Sequence, residues 1–148
     1  MYKIEIYTDG ACSGNPGTGG WAAILIYGNN IKEISGFEKE TTNNKMELRA
    51  VIEALQALKY ESDVTLYSDS AYVINAFTQG WLDNWQAYGW RTSAKKPVQN
   101  KELWLRLLQL IKAHKVQFRK VQGHSNNTYN NRCDSLARAQ IQKHGGSQ

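Results

Sequence analysis

The 148-residue sequence predicts an α/β fold in which a five-stranded mixed β-sheet is flanked by helices. Two strand patterns joined by the turn residues Gly28–Asn30 predict an antiparallel hairpin. Segments with helical spacing of apolar residues then separate two further short strand patterns. A hairpin followed by helix-linked strands produces antiparallel and parallel pairs in one sheet, with helices packed against it.

Alternation of apolar and polar residues identifies the strands. In the first, Ile4 and Ile6 alternate with Lys3, Glu5 and Tyr7. The glycine-rich residues 10–20 are predicted to be a loop. The third and fourth strands, joined through a helix, should form a parallel, right-handed crossover. The predicted strands are Tyr2–Asp9, Trp21–Tyr27, Ile31–Phe37, Val64–Asp69 and Val116–Val121.

Helices are predicted from start signals and from apolar spacing. The polar residues Thr41–Asn44 precede one such pattern, and Trp104, Leu107, Leu108 and Ile111 mark another. Residues 123–131 are polar and are predicted to be a loop. The predicted helices are Met46–Leu58, Ala71–Thr78, one containing Trp104–Ile111, and Arg132–Gln142.

Length and composition favour a single domain, residues 1–142, followed by a frayed tail at 143–148. Lys and Arg outnumber Asp and Glu by 18 to 13, which favours a polyanionic partner. The N-terminus enters a strand pattern directly and has no signal-peptide character. Cys12 and Cys133 form no disulfide framework, so we expect reduced thiols and a cytoplasmic location. Nothing in the sequence requires an oligomer, so we expect a monomer by default.

Two strands end on nearly the same motif. "IYTDGAC" contains Asp9 and "LYSDSAY" contains Asp69, each two residues after a tyrosine, Tyr7 or Tyr67. If these strands are parallel neighbours, the two carboxylates lie side by side at the carboxyl ends, where open α/β sheets bind ligands.

Glu47 and Asp134 are predicted to lie in the first turns of their helices and to face the sheet. Two unit charges about 4 Å apart repel by roughly 4 kcal/mol at an effective dielectric near 20. Four inward carboxylates would therefore be protonated or neutralised by a cation. All-oxygen ligands indicate a hard cation such as Mg²⁺ or Mn²⁺.

Each acid also has a purely structural alternative. Glu47 follows Asn44 by three residues, as in a capping box, and Asp134 would complement a helix dipole. Asp9 precedes a glycine, as in a turn, and Asp69 precedes a helix, as an N-cap. The convergence of all four favours a metal site over four separate structural roles.

The sequence resembles bacterial-type ribonuclease H type 1. The similarity rests on "YTDGACSGNPGTGG", "TTNNKMELRA", "YSDSAYV" and "VQGHSNNTYNNRCDSLA", and it extends from Tyr7 to about Ala139. It implies a ribonuclease H-like sheet, two Mg²⁺ ions per active site with Mn²⁺ as a substitute, and hydrolysis of the RNA strand of RNA–DNA hybrids. The products would carry 5′-phosphate and 3′-hydroxyl ends.

The resemblance also implies residue roles. Asp9, Glu47, Asp69 and Asp134 match the metal-binding acids, and His124 matches a loop histidine that moves a proton or helps to release product. Without the resemblance, His124 is an exposed loop histidine with no role. The implied substrate contacts are Gly10, Cys12, Asn15, Thr42, Asn43, Asn44, Tyr72 and Trp81.

Within that set, Asn15 and Thr42 resemble a pocket for a DNA phosphate, and the loop and "TTNN" blocks suit contacts to 2′-hydroxyl groups. Turn and cap formation is the alternative for the asparagines. The loop lacks the Gly-Lys-Ser/Thr ending of a nucleotide-binding P-loop.

A tryptophan-rich stretch is predicted to grip the hybrid backbone, with Trp81, Trp85 and Trp90 close to Arg91, Lys95 and Lys96. For Trp81 and Trp85, which lie one helical turn apart, core packing is favoured over this role. Relatives often have a denser basic cluster where this chain has Gln86–Tyr88. We therefore expect weaker hybrid affinity, or compensation from the other cations and from the Lys112–Lys120 segment.

Two rival functions share these motifs. A non-catalytic hybrid-binding module would need no anionic cluster, so the four acids disfavour it. A DNA-cutting relative would keep the acids, but the "TTNN" and "GACSGN" blocks suit RNA recognition.

Overall fold

The computed structural model describes residues 1–121 and 127–145. In this part of the chain the strands are β1 (Tyr2–Cys12), β2 (Gly17–Tyr27), β3 (Asn30–Thr41), β4 (Ser62–Ser68) and β5 (Lys115–Lys120). The helices are α1 (Asn43–Gln56), α2 (Ala71–Thr78), α3 (Trp81–Ala87), α4 (Lys101–Lys112) and α5 (Thr128–His144).

The strands form one sheet in the order β3-β2-β1-β4-β5. β2 is antiparallel to both β1 and β3, whereas β1 and β4, and β4 and β5, are parallel. The predicted five-stranded mixed sheet is therefore confirmed. β3 and β4 run in the same direction, as expected for a crossover through α1, and β2 and β1 lie between them.

The first hairpin is longer than the sequence pattern predicts. β1 continues to Cys12 and β2 begins at Gly17, so the predicted loop over residues 10–20 is wrong except for its tip. Gly10 pairs with Trp21 and Cys12 with Gly19. Glycine lowers strand propensity, and the pattern therefore hides strand segments that tertiary packing stabilises.

Helix starts depend on caps that periodicity does not show. The Thr42 hydroxyl accepts a hydrogen bond from Lys45 N at 3.2 Å, so α1 begins at Asn43. Asn127 caps α5, which begins at Thr128 and not at the predicted Arg132, and which extends to His144. Its first turn contains only polar residues and tyrosine, so no apolar spacing marks it. None of the helices in the described residues is long and apolar enough to cross a membrane.

The two faces of the sheet are covered differently. α1 and α4 pack over a large core that includes Ile6, Leu66 and the buried Trp104. α5 covers the opposite face of β1 and β2, where the Cys133 thiol donates a hydrogen bond to the Tyr7 carbonyl at 3.3 Å. Both layers reach β1, the central strand, and this brings residues of α1 and α5 to the same end of the sheet.

Candidate active site

Asp9 and Asp69 are adjacent because of strand register. β1 and β4 are parallel neighbours that pair Tyr7 with Tyr67 and Thr8 with Ser68. The two tyrosine rings stack with centroids 4.6 Å apart. The residue that follows Thr8 is Asp9 and the residue that follows Ser68, just after β4, is Asp69, which confirms the predicted juxtaposition. Asp9 nevertheless lies inside β1, not at its tip, because pairing with β2 continues beyond it.

Glu47 reaches the same place through a close approach of α1 to β1. A Cβ atom at Gly10 would lie 2.5 Å from the carbonyl carbon of Met46 and closer still to the amide nitrogen of Glu47. No other residue type fits this contact without displacing α1. Gly10 therefore places Glu47 beside Asp9, and both residues are only 5% exposed.

Together these residues form a carboxylate cluster, defined here as Asp9, Glu47 and Asp69. One oxygen from each side chain lies within 4.8 Å of the others. Burial raises the pKa of Asp9 to about 8, with further contributions from the charges of Asp69 and Asp134. Burial also raises the pKa of Glu47 well above its usual value, and the charges of Asp9 and Asp69 add to this effect.

The cluster fits a hard divalent cation. Oε1 of Glu47 is buried and has no hydrogen-bond partner within residues 1–121 and 127–145. Leaving a buried carboxylate oxygen unpaired is costly, and a bound cation would satisfy it. Three converging carboxylates are the all-oxygen ligand set that Mg²⁺ and Mn²⁺ prefer.

Asp134 lies close to the cluster but outside it. α5 begins at Thr128, so Asp134 is in the second turn, and the predicted first-turn position is wrong. Its side chain is 46% exposed, and it lines the cavity beside the cluster together with Asp9. Both carboxylate oxygens accept from Arg138 Nε at 3.0 Å. Its charge still contributes to the raised pKa of Asp9.

The structural alternatives for the acids do not hold. The N-cap of α1 is Thr42, and the first turns of α1 and α5 contain no acid, which removes the capping-box and dipole explanations for Glu47 and Asp134. The N-cap of α2 is Ser70, whose hydroxyl accepts from Val73 N, so Asp69 is not the cap. Asp9 lies in a paired strand and not in a turn.

A cavity of about 510 Å³ lies beside the cluster. Gly10, Cys12 and Asn43 line it, as do all four predicted acids. The Cys12 thiol donates to the Gly17 and Thr41 carbonyls, and burial raises the pKa of this thiol. Cys12 is therefore not activated as a nucleophile.

The other predicted substrate contacts lie in neighbouring surfaces. Asn15, Thr42, Asn43 and Asn44 line a second cavity of about 400 Å³, and Asn15 Oδ1 accepts from Asn43 N at 3.2 Å. Asn43 lines both cavities, so the two are neighbours on the surface. His124 lies outside the described residues, so its role stays a prediction.

Tyr72 and Trp81 do not line the cavity beside the acids. The Tyr72 hydroxyl accepts from Asn100 Nδ2 and Trp104 Nε1, each at 3.1 Å. Trp81 belongs to the tryptophan region, defined here as Trp81–Lys95. This region lines a third cavity, of about 970 Å³, with Trp85, Tyr88, Arg91 and Lys95 among its wall residues.

The tryptophan region packs against the core and also lines an open cavity. Trp85 packs with its ring centroid 5.5 Å from that of the buried Trp104, as in a core. Trp81 and Trp85 nevertheless remain half-buried and face the cavity together with cations. Core packing is thus confirmed for Trp85, while contact of the tryptophans with nucleic acid stays a prediction.

Sequence reasoning missed Arg138, Ile141 and Gln142, which line the cavity beside the acids. It also missed Lys45, Gln99 and Asn100 in the second cavity. A signal existed for Arg138, since it follows Asp134 by four residues on a helix. The others become neighbours only through tertiary packing.

Comparisons with known proteins agree with this geometry. The RNase H family model matches residues 1–142. The chain is 62% identical to the Ribonuclease H of Chlorobium luteolum over 141 residues, covering 95% of this chain and 97% of that protein. It is 61% identical to the Ribonuclease H of Acetivibrio thermocellus over 143 residues, covering 97% of each.

Solved structures show the same fold. LC9-RNase H1, a type 1 RNase H with the type 2 active-site motif, superposes with a TM-score of 0.85 at 28% identity, covering 99% of this chain and 74% of that one. LC11-RNase H1, solved in complex with an RNA/DNA hybrid, superposes with a TM-score of 0.73 at 27% identity, covering 95% of this chain and 97% of that one.

Proposed function

This chain belongs to the ribonuclease H family and is a nuclease, and from that premise we propose that it hydrolyses the RNA strand of RNA–DNA hybrids internally. The reaction depends on divalent metal ions and leaves 5′-phosphate and 3′-hydroxyl ends. The observation that carries the proposal is the carboxylate cluster, whose oxygens converge within 4.8 Å.

Asp9, Glu47 and Asp69 would hold the metal ions, joined by Asp134 from the cavity edge. Asp9 is on the central strand and lies near Asp69 and Asp134, so it would contribute to holding both ions. When bound, two Mg²⁺ ions supply an activated water and stabilise the departing 3′ oxygen of the RNA. Mn²⁺ has the same ligand preference and would substitute.

Recognition of the RNA strand is assigned to the backbone of Gly10 and to Cys12 and Asn43, because these residues share the cavity with the acids. Contacts to 2′-hydroxyl groups separate RNA from DNA. Asn15, Thr42 and Asn44 would hold a phosphate of the DNA strand in the second cavity. There the first backbone amides of α1 favour an anion.

The tryptophan region would bind the hybrid away from the reacting phosphate. Trp81 supplies an aromatic surface, while Arg91 and Lys95 supply phosphate contacts. Tyr72 is proposed as a further contact, since its hydroxyl accepts two hydrogen bonds and still has its own proton to donate. His124 would accelerate the reaction by moving a proton or releasing product.

We also propose that the chain acts in the cytoplasm as a monomer. The state of the cysteines supports this location, because Cys12 and Cys133 are both free thiols.

The experiment presents labelled RNA–DNA hybrid, RNA duplex, DNA duplex and single-stranded RNA to the protein with Mg²⁺. We expect cleavage of the RNA in the hybrid alone, inhibition by EDTA and recovery on adding Mg²⁺. Cleavage of the DNA duplex would support the DNA-cutting alternative. Hybrid binding without cleavage, at any concentration of Mg²⁺ or Mn²⁺, would support the non-catalytic module.

A further inference from the structure

Arg138 lies at the edge of the cavity beside the carboxylate cluster, and the proposed function gives it no task. The described lining of this cavity includes Asp9, Glu47, Asp69 and Asp134, and Arg138 is the only positively charged residue among them. A guanidinium next to several carboxylates acts as their counter-ion in the absence of metal.

The contact between Arg138 and Asp134 is specific. Arg138 Nε lies 3.0 Å from both Asp134 oxygens. The two residues are one helical turn apart on α5, and helical side chains lean toward the N-terminus, so Arg138 reaches back to Asp134 without distorting the helix. An acid four residues before a base is also the favourable order on a helix.

Arg138 thereby pairs with Asp134, the one predicted metal-binding acid that lies outside the carboxylate cluster. Asp9, Glu47 and Asp69 converge within 4.8 Å, whereas Asp134 lines the same cavity but is not in that group. The Arg138 side chain is 67% exposed, so it would leave Asp134 without disturbing the core.

We propose that Arg138 is a positioning residue that pairs with Asp134 at the edge of the carboxylate cluster and competes with divalent ions for its carboxylate. The inference rests on the proposed function, since it assumes that the cluster binds metal ions. Arg138 reduces repulsion before the ions bind, and it lowers their affinity because they must displace it.

The test is a titration of the whole chain with Mn²⁺ alone, in which free Mn²⁺ is followed by electron paramagnetic resonance. Exposed ion pairs are weak, so R138Q should bind Mn²⁺ about two- to fivefold more tightly than the wild type. R132Q is the matched control: it removes the same charge from α5, but Arg132 pairs with Glu33 of β3 at 2.8 Å. Its Mn²⁺ affinity should equal that of the wild type.

A second pair of variants separates positioning from simple repulsion between Arg138 and the ions. In a D134N background, R138Q should leave the Mn²⁺ affinity unchanged, because the competition for Asp134 is gone. The same tightening in both backgrounds would overturn the proposal, as would equal affinity of R138Q and wild type. A wild-type chain that binds no Mn²⁺ would instead overturn the proposed function itself.

Discussion

The carboxylate cluster draws its side chains from β1, α1 and the residue after β4, whereas the tryptophan region is one continuous stretch of chain. In the cluster, Asp9 and Glu47 are both buried, burial raises the pKa of each, and the charge of Asp9 adds to the effect on Glu47. In the tryptophan region, Arg91 and Lys95 are exposed and screened by solvent. The first arrangement costs stability and fixes geometry, while the second would provide contacts to a nucleic acid that are individually weak and replaceable.

This contrast assigns different tasks to the two regions. Chemistry requires reacting groups to be held within a fraction of an ångström, which the sheet and its packed helices provide. Binding a nucleic-acid backbone requires several cations spread along a surface, and the loss of one changes affinity only modestly. Substitutions in the two regions should therefore affect different kinetic constants and differ in size.

The largest effect is expected for Asp9→Asn. It removes the central acid of the cluster with little change in shape, so cleavage should fall by about 10³-fold or more while hybrid binding persists. Single-turnover cleavage and fluorescence anisotropy measure the two quantities. Asp83→Asn is the matched control in the tryptophan region, where Asp83 is exposed on α3. Cleavage by Asp9→Asn at the wild-type rate would show that the cluster is not the reacting site.

The next largest effect is expected for Gly10→Ala. The added methyl group would displace α1 and move Glu47, and a displacement of about 1 Å reduces catalysis by about 10²-fold. The rate at saturating hybrid measures this effect. Gly89→Ala is the control: open space surrounds Gly89, but its φ of +71° strains alanine by about 1–2 kcal/mol. Gly89→Ala should lower the stability of the fold and leave the cleavage rate at saturating hybrid unchanged. Equal losses of cleavage rate in Gly10→Ala and Gly89→Ala would contradict the different tasks assigned to the two regions.

The pH dependence of stability should also differ between the regions. An acid whose pKa is raised by folding stabilises the fold below its unfolded pKa, about 4, and this stability is lost as the pH rises through the folded pKa. For Asp9 that folded pKa is about 8. In EDTA, the Tm should fall by several degrees between about pH 5 and pH 9.

Asp9→Asn should flatten this pH profile, because it removes the acid that titrates and reduces the repulsion on Glu47. Asp83→Asn should leave the profile unchanged. A wild-type Tm that rises with pH over this range would show that ionisation of Asp9 and Glu47 does not destabilise the fold.

The smallest effect is expected for the double substitution of Arg91 and Lys95 by Gln. Loss of two phosphate contacts should weaken hybrid binding by a few-fold and leave kcat unchanged. The slope of the logarithm of the binding constant against the logarithm of the salt concentration should become shallower by about two. Lys3→Gln is the control, since Lys3 lies six residues before Asp9 on β1, about 20 Å away. A fall in kcat would indicate that the tryptophan region also orders the reacting groups.

Strand alternation and helical spacing predicted the five strands, since burial of one face imposes those periods. That β1 and β4 are parallel neighbours was a condition of the sequence argument, and the structure meets it. Register then followed from the repeated tyrosine-to-aspartate spacing, which is why Asp9 and Asp69 were placed correctly side by side. The positions of Glu47 and Asp134 in their helices were predicted wrongly because Thr42 and Asn127 cap the helices earlier than apolar spacing suggests.

Other features depend on tertiary contact alone. The clash that makes Gly10 necessary involves a helix more than thirty residues away in sequence, and no local pattern reveals it. The extension of β1 and β2 through their glycines has the same origin, because α1 and α5 pack directly on this part of the hairpin. The contact between Arg138 and Asp134 could be predicted from their spacing of four residues on a helix. That this pair lies at the cavity beside the acids could not, because it depends on how α5 packs against the sheet.

The most direct test of the account is to locate Mn²⁺ by its anomalous scattering in crystals of this protein. We predict a peak within about 2.5 Å of oxygens from Asp9, Glu47 and Asp69. Crystals of Asp9→Asn grown in the same Mn²⁺ concentration should lack that peak or show it strongly reduced. Wild-type crystals with Mn²⁺ bound only elsewhere, and with the three carboxylates turned away from one another, would contradict the account.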